Sequence, residues 1–204
     1  ARDLGSDLLL REVQERVVLV MRMAEALSSK YHIIVANPPY AGAKGLNGGL
    51  ADYIKINFSE SKADLFASFI ERGGKMLLRL GYKAMVTMES WMFLSSFEKM
   101  RISLLRRFTF NSMVHMPYLG KGGTSMGINF GTTAFVLKDV SYPAHKATFS
   151  CVRYFETDDS GIPLTFPTKN ERFCRVSTRD LQAISGVPIA YWVSNKMRRV
   201  FQDS

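Results

Sequence analysis

The chain has 204 residues, 47% of them hydrophobic, which allows one domain with an appendage and an ordinary buried core. It contains no apolar run of about 18 residues, and its first residues lack the layout of a signal peptide, so we expect a cytoplasmic protein without a membrane partner. Cys151 and Cys174 are too few for a disulfide framework, and the three histidines are scattered singly, so we expect reduced thiols and no metal site.

The charge of the chain favours an anionic partner. The net charge is +9, from 27 basic and 18 acidic residues. Three groups of basic residues recur along the chain: Lys75, Arg79 and Lys83; Lys99, Arg101, Arg106 and Arg107; Lys196, Arg198 and Arg199. Basic faces bind phosphates by releasing counterions, as in DNA recognition. The alternative is a solvated surface that only keeps the protein soluble.

Helical and extended patterns alternate along the first two thirds of the chain. Apolar spacing predicts these elements in order: a helix over 7–28, a strand over 32–36, a helix over 62–80, a strand over 82–88, a helix over 94–107 and strands over 109–116 and 131–138. The strand at 32–36 is continuously apolar, as expected when helices cover both faces of a sheet. The strand, helix and strand of residues 32–88 form a parallel unit with a right-handed crossover. The pattern therefore predicts an α/β fold.

The pattern changes after about residue 140. Short β-like pieces over 147–155, a loop over 158–161 and helical stretches over 178–185 and 194–202 follow. We therefore expect a domain over 1–140 and a small mixed C-terminal extension over 141–204.

One tetrapeptide, Asn37-Pro38-Pro39-Tyr40, follows directly on the apolar strand at 32–36. A residue before proline is pushed into extended geometry, and each proline fixes its own φ. The stiff backbone allows the Asn37 side chain and the Pro38 carbonyl to point the same way as two acceptors for a planar amino group. Tyr40 adds an aromatic face, and flipped bases are held by stacking plus hydrogen bonds. In parallel sheets, functional loops lie beyond the carboxyl ends of the strands, where this motif falls.

The tetrapeptide resembles the catalytic motif of the amino-methyltransferases that use S-adenosylmethionine, above all the DNA adenine-N6 class. Residues 62–71 are similar to the helix that follows the catalytic loop in these enzymes, residues 81–92 to their next strand and turn, and residues 131–137 to their late antiparallel strand. The family that matches best is that of the PglX-like methylases of BREX phage-defence systems and related restriction-type methylases, over residues 30–140 and more weakly the tail.

This resemblance implies a fold, a reaction and partners. The fold is part of a Rossmann-like methyltransferase sheet, with parallel strands and a late antiparallel strand, flanked by helices. The reaction transfers methyl from S-adenosylmethionine to N6 of an adenine flipped out of double-stranded DNA, in phage defence or restriction-modification, without a metal. Asn37 and Pro38 accept the two N6 hydrogens, Pro39 stiffens the motif and Tyr40 stacks on the base. The partners are DNA, the cofactor and other proteins of the defence system, and the extension over 141–204 leads toward a target-recognition region.

Further candidate residues follow from the resemblance and from local composition. Asp64 lies where the family places contacts near the cofactor, with a carboxylate favoured in the first turn of a helix as the alternative. Phe66 is a candidate to line the cofactor or base pocket, with a core aromatic as the alternative. Glu89 is a further candidate without an assigned role. The family stacks a late-strand aromatic on the other face of the base, and Phe130 and Tyr118 both lie near that position.

Two glycine-rich stretches carry candidate DNA contacts. Residues 41–49 hold four glycines and Lys44, which predicts a lid that orders on DNA or cofactor, with a plain surface loop as the alternative. Residues 120–127 include Lys121 but lack the spacing of a nucleotide-triphosphate loop, so DNA-backbone contact is the reading we retain for Lys121.

The main departure from the family is an absence. Residues 1–31 provide no strand, glycine turn and helix in order, so the chain looks like the later half of a methyltransferase domain, with the main cofactor loop missing and the isolated piece inactive. Methylation of cytosine N4, of RNA or of a protein glutamine remain alternatives, because related tetrapeptides serve them. A non-catalytic DNA-binding or structural remnant of the fold is the alternative from another class.

Overall fold

The computed structural model describes residues 4–117, 130–160 and 162–202. Its helices are α1 (Leu4–Ser28), α2 (Gly48–Asn57), α3 (Leu65–Met76), α4 (Glu98–Arg107), α5 (Thr178–Gln182) and α6 (Asn195–Gln202). Its strands are β1 (Tyr31–Ala36), β2 (Leu77–Met88), β3 (Thr109–Met116), β4 (Thr132–Lys138), β5 (Lys146–Cys151) and β6 (Cys174–Ser177). Short 3₁₀ turns lie at Ala43–Gly45, Glu89–Met92, Ser95–Phe97 and Tyr154–Glu156.

All six described strands form one sheet in the order β1-β2-β4-β3-β5-β6. Strand β1 is parallel to β2, and β3 is parallel to β5. Strand β4 is antiparallel to both β2 and β3, and β6 is antiparallel to β5. The predicted α/β sheet with a late antiparallel strand is confirmed. Strands β1, β2, β3 and β5 therefore end at the same edge, which we call the carboxyl edge.

The core lies between the sheet and the helices that follow β1 and β2. Phe66 and Ile70 of α3 and Leu104 of α4 pack with Met85 and Phe135 of the sheet, and each is at most 4% exposed. Burial of such side chains contributes roughly 1.5–3 kcal/mol each relative to exposure. The two helices thus fix the sheet whose strand β1 leads directly into the Asn37–Tyr40 motif.

The predicted boundary between the second helix and the second strand is wrong. Helix α3 ends at Met76 rather than at 80, and β2 begins at Leu77 rather than at 82. The apolar run at 77–80 continues the helical spacing, but it forms an irregular first part of the strand. Leu80 has a positive φ of 66°, and a Cβ on Gly81 would lie 2.7 Å from the His32 carbonyl oxygen. This close approach explains the glycine.

Two elements were not predicted at all. Helix α2 begins inside the glycine-rich stretch, where Asn47 caps it by accepting a hydrogen bond from the Leu50 amide over 2.9 Å. Strand β6 extends the sheet on the far side of β5. Strands β5 and β6 lie beyond residue 140 and still belong to the sheet, while the division into domains at 140 stays a prediction.

Strand β1 and helix α1 both expose apolar residues. Ile33 and Val35 of the edge strand β1 are 65% and 75% exposed. Helix α1 exposes a long apolar series: Leu8, Leu9, Leu10, Val13, Val17, Val18, Leu19, Val20, Met21, Met23 and Leu27. No helix among the described residues combines the length and the hydropathy that a membrane crossing requires.

Candidate active site

The Asn37–Tyr40 motif lies at the carboxyl edge, directly after β1. Asn37 and Pro39 are exposed, Pro38 is buried and Tyr40 is half-buried. The motif thus alternates between the protein interior and the surface, as expected from a backbone that two prolines hold extended. Its polar side chain points to the outside, where a substrate would approach.

The Tyr40 hydroxyl connects the motif to itself and to the sheet. It donates to Asn37 Oδ1 over 3.2 Å, and it lies 3.4 Å from the Val86 carbonyl oxygen on β2. Burial raises the pKa of the Tyr40 hydroxyl, so the group remains a donor. An amide oxygen has two lone pairs, so Asn37 Oδ1 can accept a second hydrogen bond.

Two aromatic rings hold the Tyr40 ring in place. Phe66 of α3 lies 6.1 Å away between ring centroids at an interplanar angle of 80°, and Phe130 lies 5.2 Å away at 87°. Edge-to-face pairs of this kind contribute about 0.5–1.5 kcal/mol beyond area burial. Phe66 is fully buried and belongs to the core, while Phe130 is half-buried. The structure therefore brings the predicted base-contacting residues Phe130 and Tyr40 together.

Asp64 anchors the end of the motif to the next helix. It is the N-cap of α3, where Oδ1 accepts from the Phe66 amide over 3.2 Å, and the same oxygen accepts from the Ala41 amide over 3.2 Å. The carboxylate thus ties the residue after Tyr40 to the start of α3. This is a structural task, and the predicted cofactor contact of Asp64 stays a prediction.

Glu89 lies at the carboxyl edge as well, at the end of β2, in a cluster that the sequence did not predict. Its carboxylate lies 2.6 Å from Nε2 of His115, and Nδ1 of His115 lies 3.0 Å from the Tyr191 hydroxyl. His115 is 1% exposed. The Glu89 amide donates to the Gly131 carbonyl oxygen over 2.8 Å. The inward position of His115 in the alternating strand β3 was the available signal.

The basic groups divide between the interior and the surface. The prediction of a phosphate-binding face is wrong for one member of each group, since Lys83, Arg101 and Arg198 are at most 6% exposed. Helices α3 and α4 return the chain to the amino ends of β2 and β3. Their last turns carry Lys75, Arg106 and Arg107, which therefore lie at the edge opposite the motif.

Other basic residues lie at the carboxyl edge. The exposed Lys44 occupies the 3₁₀ turn after the motif. Residues 152–173 connect β5 to β6 at this edge and contribute Arg153 and Arg172, which the sequence analysis did not single out. The predicted contacts Tyr118 and Lys121 lie outside the described residues.

The two cofactor candidates, Asp64 and Phe66, both have structural contacts in the described residues. Phe66 has no exposed surface, and Asp64 Oδ1 already accepts two backbone hydrogen bonds. Among the described residues, no group of three or more His, Cys, Asp or Glu side chains is arranged to hold a metal ion. The motif thus presents an amide oxygen beside an aromatic ring, whereas the described contacts of Asp64 and Phe66 are those of a helix cap and a core ring.

Comparisons with known proteins agree with this geometry. Residues 11–120 match the model of the Eco57I restriction-modification methylase family. The chain is 36% identical to the adenine-specific methyltransferase BrxX of Escherichia coli O9:H4 (strain HS), over 92% of the chain and 15% of the relative. It is 32% identical to the adenine-specific methyltransferase PglX of Lacticaseibacillus casei (strain Zhang), over 91% of the chain and 16% of the relative. The chain therefore spans about one sixth of the length of these relatives.

A solved structure shares the fold. A nuclease-deletion mutant of the Type ISP restriction-modification enzyme LlaGI, in complex with a DNA substrate mimic, superposes with a TM-score of 0.58 at 15% identity. The similarity covers 82% of this chain and 19% of the LlaGI chain. At this identity the likeness shows the arrangement of strands and helices.

Proposed function

We propose, because this chain belongs to the Eco57I family of restriction-modification methylases, that it carries the base-binding half of an active site that methylates adenine N6 in DNA. The whole protein transfers the methyl group of S-adenosylmethionine to an adenine flipped out of the duplex. The observation that carries the proposal is the hydrogen bond from Tyr40 to Asn37 Oδ1 at the carboxyl edge. It joins an aromatic ring and an amide acceptor in one rigid unit.

The chemistry of the acceptor explains why such a unit is needed. The lone pair of adenine N6 is delocalised into the ring, so the amine is a weak nucleophile. Asn37 Oδ1 and the Pro38 carbonyl oxygen bind the two N6 hydrogens and favour the geometry in which the lone pair is free. Acceptors that are fixed before the reaction stabilise its transition state without reorganisation. When bound, S-adenosylmethionine would supply the methyl group: its C–S bond would break as the bond to N6 forms, and N6 would release one of its two protons to solvent.

Stacking on Tyr40 would hold the ring of the base. Neither Phe66 nor Phe130 lies parallel to the Tyr40 ring, so neither occupies the stacked geometry that a planar base needs. Base–aromatic stacking contributes roughly 1–3 kcal/mol. Phe130 then borders the base on the side of β4, and Pro39 keeps Tyr40 at a fixed distance from Asn37.

DNA is the proposed partner of the carboxyl edge. Lys44 supplies positive charge in the turn after the motif. Arg153 and Arg172 lie on the loop after β5, farther along the same edge, where Arg153 is paired with Glu171. The LlaGI relative is bound to a DNA substrate mimic, which supports the same partner here. We propose that the main binding site of the cofactor lies outside the described residues. The reason is that α1 occupies most of the sequence before β1, where the described residues contain no glycine turn between a strand and a helix. A role in phage defence, together with other defence proteins, follows the resemblance to PglX-like methylases.

The test measures methyl transfer by the purified full-length protein, with labelled S-adenosylmethionine and double-stranded DNA. Asn37→Ala should abolish transfer and leave DNA affinity within about twofold, because it removes an acceptor without changing a phosphate contact. Asn111→Ala is the matched control, since Asn111 is an exposed asparagine of the same sheet at the opposite edge. Wild-type turnover by Asn37→Ala would refute the assignment.

A further inference from the structure

Glu89 lies at the carboxyl edge between two neighbouring strands of the sheet. We propose that Glu89 is a positioning residue, which ties Gly131 at the start of β4 to His115 near the end of β3. Through this tie it holds Phe130 against Tyr40 and sets the width of the base pocket. The inference rests on the proposed function, because it assigns Glu89 a task in the same pocket.

The main chain of Glu89 makes the first half of the tie. Its amide donates to the Gly131 carbonyl oxygen over 2.8 Å. A Cβ on Gly131 would lie 2.2 Å from the Glu89 carboxyl carbon, so any side chain there would displace the carboxylate from its present position. The next residue back along the chain is Phe130, whose ring lies 5.2 Å from that of Tyr40. The position of Phe130 therefore depends on how Gly131 packs against Glu89.

The carboxylate makes the second half of the tie. It lies 2.6 Å from Nε2 of the buried His115, whose Nδ1 lies 3.0 Å from the Tyr191 hydroxyl. The Glu89 carboxylate can only accept, so Nε2–H of His115 donates to it, while the Tyr191 hydroxyl contacts Nδ1 on the other side of the ring. Trp192 stacks on the imidazole at 6.1 Å between centroids and 20° between planes. His115 is thus fixed on three sides and gives the carboxylate an immobile anchor.

The geometry predicts which chemical property of Glu89 matters. A positioning residue needs an acceptor of the right shape, whereas a general base or an electrostatic group needs the negative charge. Glutamine keeps an acceptor oxygen for His115 Nε2–H and keeps the main-chain bond to Gly131. Glu89→Gln should therefore retain most of the activity that Glu89→Ala loses. The two variants separate positioning from charge.

The experiment uses the full-length protein and two readouts. The first is hydrogen exchange measured by mass spectrometry on the peptides that contain residues 112–116 and 130–134. Glu89→Ala should speed exchange in both peptides and Glu89→Gln in neither. Glu71→Ala is the matched control, because the Glu71 side chain is 23% exposed against 21% for Glu89 and also accepts a hydrogen bond, from Ser61. Unchanged exchange in either peptide of Glu89→Ala would overturn the tie.

The second readout is the fluorescence of 2-aminopurine at the target adenine together with kcat and KM. Glu89→Ala should lower kcat on the order of 10- to 100-fold, the effect of a small misplacement in an active site, with KM for DNA within about twofold. Glu89→Gln should stay within about threefold of wild type in kcat. Equal loss in the two variants would overturn the positioning role in favour of a charge role.

A double variant tests the contact between the two residues directly. Gly131→Ala should lower kcat as strongly as Glu89→Ala, because the new methyl group meets the carboxylate. In the Glu89→Ala background the same change should add little, since the carboxylate is gone. Additive losses would contradict the contact. If the wild-type protein methylates no DNA, the proposed function fails, while the exchange readout still judges the tie by itself.

Discussion

Tyr40 and Asn37 are joined by a hydrogen bond of 3.2 Å from the tyrosine hydroxyl to Asn37 Oδ1. The amide atom next to the Tyr40 hydroxyl is Oδ1, and the hydrogen bond leaves one lone pair of that oxygen for a second donor. The hydrogen bond therefore favours one position of the amide relative to the ring. In the proposed reaction, the residue that stacks on the base also orients the residue that binds its amine.

Tyr40→Phe separates these two tasks of Tyr40. The variant keeps the ring and loses the hydrogen bond, whose net contribution is about 0.5–1.5 kcal/mol, so kcat should fall roughly 2- to 12-fold. Tyr40→Ala also loses the stacked base, and 2-aminopurine fluorescence should show weaker capture of the extruded base. Tyr142→Phe is the control, because Tyr142 is exposed at 59%. Identical losses in kcat and base capture for Tyr40→Phe and Tyr40→Ala would contradict the division of tasks.

Asp64→Ala should loosen the junction between the motif and α3. The variant removes the N-cap and the acceptor for the Ala41 amide, so the free energy of unfolding should fall by about 0.5–2 kcal/mol. Asp64→Asn retains an acceptor oxygen and should lose only a fraction of this amount. Urea unfolding of the chain, followed by tryptophan fluorescence, measures both. The capping role is disproved if Asp64→Ala unfolds at the wild-type urea concentration.

Lys83→Met should stabilise the protein in a pH-dependent way. Lys83 is fully buried, and burial lowers its pKa to about 7, with the charge of Arg107 acting in the same direction. Its ammonium donates to the Ile70 carbonyl oxygen over 2.7 Å and lies 4.3 Å from the centre of the Phe108 ring. These contacts offset only part of the desolvation.

The direction of the pH dependence follows from the pKa values of Lys83 in the unfolded and the folded chain. Between pH 10.5 and about 7 the unfolded chain binds a proton that the folded chain does not, so stability falls as the pH falls through this window. Below about pH 7 the full free-energy cost of burying the charged Lys83 ammonium remains. Lys83→Met should therefore raise the free energy of unfolding by a few kcal/mol, roughly 2–5, at pH 7 and by little at pH 10. Urea unfolding at the two pH values measures this, and an equal gain at both would contradict the pKa shift as its cause.

Arg101→Lys should destabilise the packing around α4 despite the retained charge. The guanidinium donates four hydrogen bonds to carbonyl oxygens of Trp91, Leu94, Gly186 and Val187, at 2.7–2.9 Å. A lysine ammonium cannot reproduce this fork. We expect a loss of roughly 2–4 kcal/mol in urea unfolding.

Arg106→Lys serves as the control for this substitution. Arg106 is exposed in the last turn of the same helix, so its loss should stay below about 0.5 kcal/mol. Equal losses for the two variants would show that the four carbonyl contacts contribute nothing.

Sequence patterns alone located some strands well and misplaced the start of another. The apolar run at 32–36 and the pattern at 109–116 correspond to β1 and β3. Met113 and His115 of β3 are buried, whereas no residue of β1 is, so the expectation that helices cover both faces of the first strand is wrong. The run at 77–80 was misassigned, since apolar residues at the end of a helix and at the start of a buried strand look alike. Only the approach of Gly81 to the His32 carbonyl, a tertiary contact, separates the two.

The sequence also predicted only those parts of the site that are local in the chain. The tetrapeptide is local, so Asn37 and Tyr40 could be named from the sequence alone. The contact of Tyr40 with Phe130 joins residues 90 positions apart and depends on the order of the strands. The pairing of Glu89 with His115 likewise requires β2 and β3 to flank β4. Burial of Lys83 and Arg101 escaped prediction because charge patterns carry no information on what covers a side chain.

The central claim is that Asn37 binds the amine of adenine for methylation at N6. The most direct test expresses the full-length wild-type protein and its Asn37→Ala variant at equal levels in a host that lacks adenine methylation. Mass spectrometry of the DNA nucleosides should then find N6-methyladenine with the wild type and none with the variant. N4-methylcytosine in place of N6-methyladenine, or an unchanged amount of N6-methyladenine with Asn37→Ala, would contradict the account.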